Sequence, residues 1–472
     1  MEQLPNGHRT LFKKISEAGK LCNQPVYVIG GYVRDYYLNR LDKEPDIDFV
    51  TVGSGIKLAG KVAEMLNVKN VSTFKRFGTA HLSYNTFDLE FVGARIESYN
   101  PDSRKPVVEK GTLEDDQKRR DFTINAMSFS LNQADFGKLI DPFDGLSDLK
   151  AGLIRTPIDS VQTFSDDPLR MMRGIRFATQ LDFAIAPETY QGILESADRI
   201  KIISQERITD ELNKILASPV PSKGFTYLFK TGLLSHILPE LENLHGVEVR
   251  EGITHKDNFW HTLQVLDNVA EMSDNLWLRW AALLHDIAKP PTKKFSKSVG
   301  WTFHGHDALG AKWVKKIFRK LSLPLDERMQ YVQKLVRLHL RPIALVDEEV
   351  TDSAIRRLIV EAGEDLDDLM NLCRADITSR NDKKVRRFLK NFDRVEEKVN
   401  DVAEKDRLRN WQPPIDGHEI MKALNIQQGP EIGQIKKAIE EAILEGEIPN
   451  DHDAAYEYMM KIKDQYLNHE ST

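Results

Sequence analysis

Apolar and polar positions follow two regimes along this chain. Over residues 1 to about 150, short runs of β-branched and aromatic residues alternate with a helical stretch. "QPVYVIGG", "DIDFVTVG", "AHLSYNTFDLEFVGAR" and "INAMSFSLN" read as strands or strand starts. "SGIKLAGKVAEML" places Ile56, Ala59, Val62, Ala63 and Leu66 on one helical face. From about Asp159 onward strand signals nearly vanish. "DDPLRMMRGIRFATQL", "PETYQGILESADRI" and "SQERITDELNKILAS" read as successive helices with short breaks, and helical character persists to the end. The pattern predicts an α+β chain with strands only in its first part. Further boundaries are expected near 240–260 and near 400–415, where "NWQPPIDG" brings proline and glycine together.

Bulk properties narrow the class. A chain of 472 residues is too long for one core, so three or four domains are expected. With 41% hydrophobic and 29% charged residues, it has the composition of a soluble globular protein. No run of about 18 apolar residues predicts a membrane helix, and the first residues lack a secretory pattern. Cys22 and Cys373 lie far apart and read as reduced thiols, which leads to the expectation of a cytoplasmic protein. The net charge of −6 predicts no nucleic-acid partner globally, so any such surface must be a local basic patch.

Candidate chemistry concentrates in "VYVIGGYVRDYYLNRLDKEPDIDFVTVG". Gly30 and Gly31 let the backbone approach a ligand, and the following helix start offers free N–H groups to an anion. An ordinary tight turn would use the same glycines. Asp46 and Asp48 sit two apart, so on a strand both face one side. Side-by-side carboxylates repel unless a cation neutralises them, and hard ions such as Mg²⁺ take oxygen ligands. The apolar Ile47, Phe49 and Val50 argue against a casually solvated edge strand. "TFDLEFV" repeats the geometry with Asp88 and Glu90, of which Glu90 is the favoured third carboxylate. Metals bridging phosphate oxygens would activate a hydroxyl and neutralise a pyrophosphate leaving group, which predicts nucleotidyl transfer. Basic groups for a triphosphate are at hand: Arg119 and Arg120 in "KRRDFTINA", and Arg170, Arg173 and Arg176 spaced three apart in one helix.

"GGYVRD", "DID", "KRRDFTINA" and "DDPLRMMRGIRF", in this order and spacing, closely resemble the class II tRNA nucleotidyltransferases, which include CCA-adding enzymes and bacterial poly(A) polymerases. The likeness covers about residues 20 to 240. It implies a small mixed-sheet nucleotidyltransferase palm, or head, on five strands over 1–155, followed by an all-helical neck (156–245), body (246–400) and tail (401–472). It implies that Asp46 and Asp48 bind Mg²⁺ and carry catalysis, to which the strand pattern adds Glu90 as the favoured third catalytic carboxylate. Gly30, Gly31 and Arg34 would hold the incoming nucleotide, and Arg120, Asp121 and Asn125 its sugar and phosphates. Asp167 and Arg170 would read the base, and Arg173 and Arg176 would grip the triphosphate. Where the family usually has Glu-Asp, this chain has Asp166-Asp167, which leaves the reading pair in place.

The base reading has its own logic. Arg offers a planar fork of donors and Asp offers acceptors. Together they satisfy the Watson–Crick edges of cytosine and adenine, whereas uracil and guanine present the wrong order. An unpaired buried partner costs roughly 1–3 kcal/mol, enough for about tenfold to a few hundredfold discrimination. The reaction implied is template-independent addition of CMP, CMP and AMP to the tRNA 3′ end from CTP and ATP, with pyrophosphate released. The long polar segment "GARIESYNPDSRKPVVEKGTLEDDQKRRDF" matches a full-length flexible loop needed for the terminal A, and "FKRFGTAHLSYN" lacks a poly(A) polymerase signature. A-only addition stays open as an alternative.

The second half poses a separate question. "FWHTLQVLDNVA", "ALLHDIAK", "FHGHDALGA", "RLHLRP" and "CRADITSRN" look like an HD domain. His261, His285, Asp286 and Asp376 are its expected metal ligands, with His304, His306 and His339 nearby in the sequence. Imidazole and carboxylate together suit Mn, Ni, Fe or Zn, that is, a transition metal. A helical scaffold that merely supports tRNA is the plainer alternative. An HD phosphohydrolase with a nucleotide-binding palm and a non-enzymatic RNA-binding scaffold are the competing classes. "GPEIG" with "EAILEGEIPN" resembles the tail of HD-containing CCA enzymes.

Overall fold

The computed structural model describes residues 4–41, 46–75, 78–100, 103–345, 351–378, 382–406 and 414–467. Packing divides the chain into two compact units, Met1–Pro239 and Glu240–Thr472. The first half of the expected boundary at "NWQPPIDG" lies outside the described residues, and the division placed at 400/401 lies inside the helix Asp382–Asp406.

The first unit opens with α1 (Asn6–Cys22), β1 (Val26–Ile29), α2 (Gly31–Tyr37), β2 (Asp46–Thr51) and α3 (Gly55–Leu66). There follow β3 (Ser72–Phe74), β4 (Thr79–Tyr84), β5 (Phe87–Gly93), β6 (Arg95–Asn100), β7 (Ser103–Lys110) and α4 (Leu113–Lys118). β8 (Ser128–Ser130) and β9 (Leu139–Ile140) complete the main sheet. The expected apolar face of "SGIKLAGKVAEML" forms α3, whose start is capped by the Ser54 hydroxyl accepting from the Lys57 N–H. Alternating burial along β2 sends Ile47 and Phe49 into the core and leaves Asp46 exposed and Asp48 half-buried on the other face. Phe49 stacks on Phe91 at 5.0 Å, and Phe12 of α1 meets Phe49 edge-on.

The sheet order is β3-β4-β5-β2-β1-β8-β9. It is mixed, as expected: β2 and β5 run parallel and the other neighbours antiparallel. The seven strands exceed the five implied by the resemblance. The edge strands are the short β3 and β9, of three and two residues. The segment expected to be a flexible loop contains the antiparallel hairpin β6–β7, with Arg95 opposite Lys110 and Glu97 opposite Val108. β-branched residues at Ile96, Val107 and Val108 favour that pairing over an irregular loop.

Helices then dominate: α5 (Gly145–Ala151), α6 (Ser160–Asp166), α7 (Leu169–Gln180), α8 (Pro187–Ser196) and α9 (Gln205–Leu216). α7 packs close to the sheet unit because Gly174 has no side chain; an added Cβ would stand 2.9 Å from the Phe122 ring. The second unit is built mainly from helices, with an apolar tail cluster around Ile420, Ile439 and Met459. It is not all-helical as expected. Val249–Arg250 pairs with Ile253–Thr254, and Lys294–Ser296 pairs with Gly300–Thr302. The first hairpin turns on Glu251 and Gly252, both at positive φ, a two-residue turn that helical periodicity does not reveal. Among the described residues, no helix is long and apolar enough to cross a membrane.

The Phe49–Phe91 stack lies at the centre of the first unit's core. Phe49→Ala should therefore lower unfolding stability by about 3–5 kcal/mol, read as a fall in the denaturation midpoint of that unit.

Candidate active site

The parallel pairing of β2 with β5 sets Asp46 opposite Asp88 and Asp48 opposite Glu90. Residues in register across a parallel pair share a face, so four carboxyl groups lie side by side. They are not equivalent. Asp88 is exposed, accepts from the Ser83 hydroxyl at 2.6 Å and lies 3.6 Å from His81. Glu90 and Asp48 are half-buried. Burial raises the pKa of Asp48; Arg120 opposes the shift, and Asp46 and Asp116 reinforce it. Burial raises Glu90 as well, followed by the charges of Asp48 and Asp46. Of the second pair, Glu90 is the half-buried one and stands opposite Asp48.

These residues fit a hard divalent cation. The donors are carboxylate oxygens set side by side, and burial, with the neighbouring carboxylates adding to it, makes their charged forms costly unless a cation joins them. The backbone at the end of β1 passes close to them. Gly30 has φ +83°, and a Cβ there would stand 3.4 Å from Asp48 Oδ2 and 2.9 Å from Arg120 Nη1. Only glycine fits both the backbone conformation and the close approach.

A chain of side chains runs away from the carboxylates. Arg34 donates from Nη1 to Asn125 Oδ1 at 2.9 Å and holds Asp35 with two bonds of 2.8 Å. Asn125 donates to Asp121 Oδ1 at 3.1 Å, and Arg173 Nε donates to Asp121 Oδ2 at 2.7 Å. The tight turn Thr123–Asn125 folds Asn125 back onto Asp121, which also accepts from the Phe122 N–H. Asp121 is buried, which alone would raise its pKa; Arg173 and the Asn125 hydrogen bond outweigh this and bring it to about 2. Phe177 stands at the hub: the guanidinium carbons of Arg34, Arg173 and Arg176 lie 5.1, 5.5 and 4.0 Å from its ring centre.

The arginine stripe behaves differently from the sequence expectation. Steps of three residues rotate about 60° short of a turn, so the three arginines spread round α7. Arg170 points inward: Nη1 donates to the Thr163 carbonyl and Nη2 to the Arg119 carbonyl. Arg176 is bound to Glu211 and to Gln180. Arg173 is the most exposed of the three. Asp167 accepts from the Leu169 N–H at 3.1 Å and from Arg207 Nη2 at 3.3 Å, so its charged partner in this structure is Arg207. Asp116, Phe177, Arg207 and Glu211 were missed by sequence reasoning. The i, i+4 spacing of Arg173 and Phe177 was the one local signal available.

The second unit holds a separate cluster. His261 Nε2 lies 2.8 Å from Asp376 Oδ1 and 3.7 Å from Asp286 Oδ2. His285 Nε2 lies 3.2 Å from Asp286 Oδ2 and 3.7 Å from Asp376 Oδ1. The structure thus brings together the four residues expected to form the metal site. His304 is exposed, whereas His306 and His339 are buried beside Asp286. Burial alone would depress the pKa of His285, but Asp286 and Asp376 lift it to about 10. Burial and the neighbouring His285 push His339 down to about 4.

Comparison with known proteins follows this division. The sequence profile "Poly A polymerase head domain" matches residues 26–155. "Probable RNA and SrmB- binding site of polymerase A" matches 182–244, and "HD domain" matches 258–381. A protein of Deinococcus radiodurans named A-adding tRNA nucleotidyltransferase is 33% identical over 72% of this chain and 78% of its own length. A Multifunctional CCA protein of Shewanella frigidimarina is 34% identical over 64% of this chain and 71% of its own. In fold, the chain is similar to the CCA-adding enzyme of Bacillus stearothermophilus solved with CTP, with a TM-score of 0.66 at 22% identity. That likeness covers 98% of this chain and 99% of the other.

The Asp121 network generates a pH prediction. Its folded pKa is lowered, so its contribution to stability is present above the unfolded value of 3.8 and is lost as pH falls through about 2. Asp121→Asn should cost about 2 kcal/mol at pH 7. In denaturant melts, the gap between variant and parent should narrow as pH drops below about 4.

Proposed function

The chain belongs to the tRNA nucleotidyltransferase family, and on that premise we propose that it adds CMP, CMP and AMP to the 3′ end of tRNA from CTP and ATP, releasing pyrophosphate. The observation that carries this reading is the register that sets Asp48 beside Glu90, next to Gly30 and Arg120. Asp46, Asp48 and Glu90 would hold Mg²⁺, which when bound supplies charge neutralisation at the reacting phosphate and lowers the pKa of the attacking hydroxyl.

The protein's own groups do the rest. Arg120 and Arg173 supply positive charge for the triphosphate; Arg120 Nε is buried without a hydrogen-bond partner. Asn125 and Asp121 tie Arg34 to Arg173, and this tether gives both guanidiniums a set position. Arg176 acts through Phe177, its charge being held by Glu211. Gly30 lets the backbone pass close to Asp48 and Arg120, and Gly30 and Gly31 would hold the nucleotide there. Asp167 and Arg170 read the base edge. The carbonyl bonds of Arg170 take two of its five N–H donors and fix the guanidinium plane.

A-only addition is the second reading, favoured by the name of the Deinococcus radiodurans relative. Labelled CTP and ATP, given singly and together to tRNA ending before its CCA and to tRNA ending in CC, separate the two. A CCA-adding enzyme extends the shorter tRNA by two with CTP and by three with both nucleotides. An A-only enzyme extends only the CC-ended tRNA, by one. Long ATP-dependent tails would indicate a poly(A) polymerase, and no incorporation on either tRNA would overturn the reading.

In the second unit, we propose that His261, His285, Asp286 and Asp376 hold a transition metal suited to phosphate-ester hydrolysis. The convergence of two imidazoles on two carboxylates supports this, as does His285 Nε2, buried without a hydrogen-bond partner.

Asp46→Ala or Asp48→Ala should reduce nucleotide addition to background while tRNA binding, measured by filter retention, persists. Near-normal addition in either variant would sink the assignment. Arg170→Ala should lose roughly tenfold or more of the preference for CTP and ATP over UTP and GTP. Equal slowing on all four nucleotides would mean that Arg170 only supports the fold.

A further inference from the structure

We propose that the buried carboxylate of Asp116 is a positioning group: it anchors Arg120 and so keeps that guanidinium from closing onto Asp48, which leaves Asp48 free for the metal ion. This rests on the reading of Asp46 and Asp48 as Mg²⁺ ligands.

Local chemistry turns Asp116 inward. At the start of α4 the Thr112 hydroxyl accepts from the Asp115 N–H at 3.2 Å, and the Asp115 carboxylate accepts from the Thr112 N–H at 2.8 Å. This reciprocal cap fixes the first turn and holds Asp115 at the helix start. The next two residues then face the interior. Gln117 Nε2 donates to the Ala126 carbonyl at 2.7 Å and to the Ile140 carbonyl at 3.1 Å, which ties α4 to the chain around β8 and β9. Asp116, beside it, is fully buried. A carboxylate in such a place needs cations around it, so its partners indicate what it does.

Those partners are two arginines three and four residues on, the spacing that brings side chains together on a helical turn. Arg119 takes one oxygen: its Nε and Nη2 donate to Oδ1 at 3.0 and 2.5 Å. Arg120 faces the other, with Nε 3.4 Å from Oδ2. Oδ2 and that Nε are both buried without a hydrogen-bond partner. Their separation is slightly beyond an ordinary N–H···O bond, so a small shift of Arg120 satisfies both atoms.

The outer end of the same guanidinium reaches the carboxylate cluster. A Cβ built on Gly30 would stand 2.9 Å from Arg120 Nη1 and 3.4 Å from Asp48 Oδ2, so both atoms border one point of the backbone. Arg120 is thus held between two acids, Asp116 at Nε and Asp48 toward Nη1. Burial raises the Asp48 pKa; the Arg120 charge opposes that rise, and Asp116 adds to it. With Asp116 ionised, the attraction on Arg120 is divided, and the guanidinium keeps donors for the triphosphate. With that charge removed, Asp48 is the acid left facing it. An Arg120–Asp48 ion pair would then occupy the oxygens that a cation needs.

The test compares the full chain with Asp116→Asn, Arg120→Gln and the two together. Nucleotide addition is followed against free Mg²⁺ at saturating tRNA and nucleotide, with thermal melting recorded for each protein. Asp116→Asn keeps the side-chain shape and removes the charge. It should raise the Mg²⁺ concentration for half-maximal rate at least about tenfold, with the rate regained at high Mg²⁺. In the Arg120→Gln background the same substitution should change that concentration less than about twofold, because the competing guanidinium is gone. An equal loss in both backgrounds would mean that Asp116 only supports the fold, and an unchanged Mg²⁺ dependence would overturn the proposal as well. Crystal structures give a readout apart from activity. Without metal, Arg120 of the Asp116→Asn variant should stand within about 3.2 Å of Asp48, whereas in the parent its Nε should stand within that distance of Asp116. A metal-free parent in which Arg120 leaves Asp116 or is bonded to Asp48 overturns the proposal, even where a variant fails to fold or to turn over. A parent that adds no nucleotide at any Mg²⁺ concentration overturns the functional reading and this inference together.

Discussion

Negative charge held on one face of a sheet whose other face is the hydrophobic core is the constraint on which the rest of the first unit depends. β2 must bury Ile47 and Phe49 to make the core, and its period of two then forces Asp46 and Asp48 onto the opposite face. The parallel partner β5 does the same with Leu89 and Phe91, which delivers Glu90 beside Asp48. Burial of the core face and crowding of the acidic face are one event seen from two sides. The cost is visible in the raised pKa values of Asp48 and Glu90. A fold that keeps such a cluster is poised to bind cations, and that is what nucleotidyl transfer requires.

Opposite charge is supplied nearby but is not allowed to collapse onto the carboxylates. Arg119 is drawn to the buried Asp116, Arg173 to Asp121 and Arg176 to Glu211. Each arginine thus has an acidic partner outside the β2–β5 cluster. Phe177 adds a face on which Arg34, Arg173 and Arg176 stack without being neutralised. The result is a set of oriented cations beside a cluster of carboxylates. A triphosphate with its metal ions would complete both.

The second unit reaches a comparable end by different means. There the clustered imidazoles and carboxylates sit at or near helix ends, and the Nδ1 atoms of His285, His306 and His339 face carbonyls of the preceding turn. Four imidazoles surround Asp286, whose own surroundings are almost entirely buried. Oxygen donors in the first unit suit a hard ion, whereas nitrogen donors here suit a softer one. The two units therefore need not compete for the same metal.

Much of this was legible in the chain itself. Two-residue periodicity placed Asp46 and Asp48 on one face, and helical periodicity located α3 and α7, because backbone geometry alone dictates which neighbours share a side. Turn glycines and the proximity of His285 to Asp286 were equally local. Tertiary structure alone decided the partners. Asp167 meets Arg207 from forty residues away, Arg170 turns inward to main-chain carbonyls, and His306 joins His339 across thirty-three residues. It also decided that the polar segment after β5 pairs as a hairpin and that Asp286 meets imidazoles at both of its oxygens. Periodicity reports which way a side chain points from its own element. What it meets there depends on the packing of elements distant in sequence, and no local pattern encodes that.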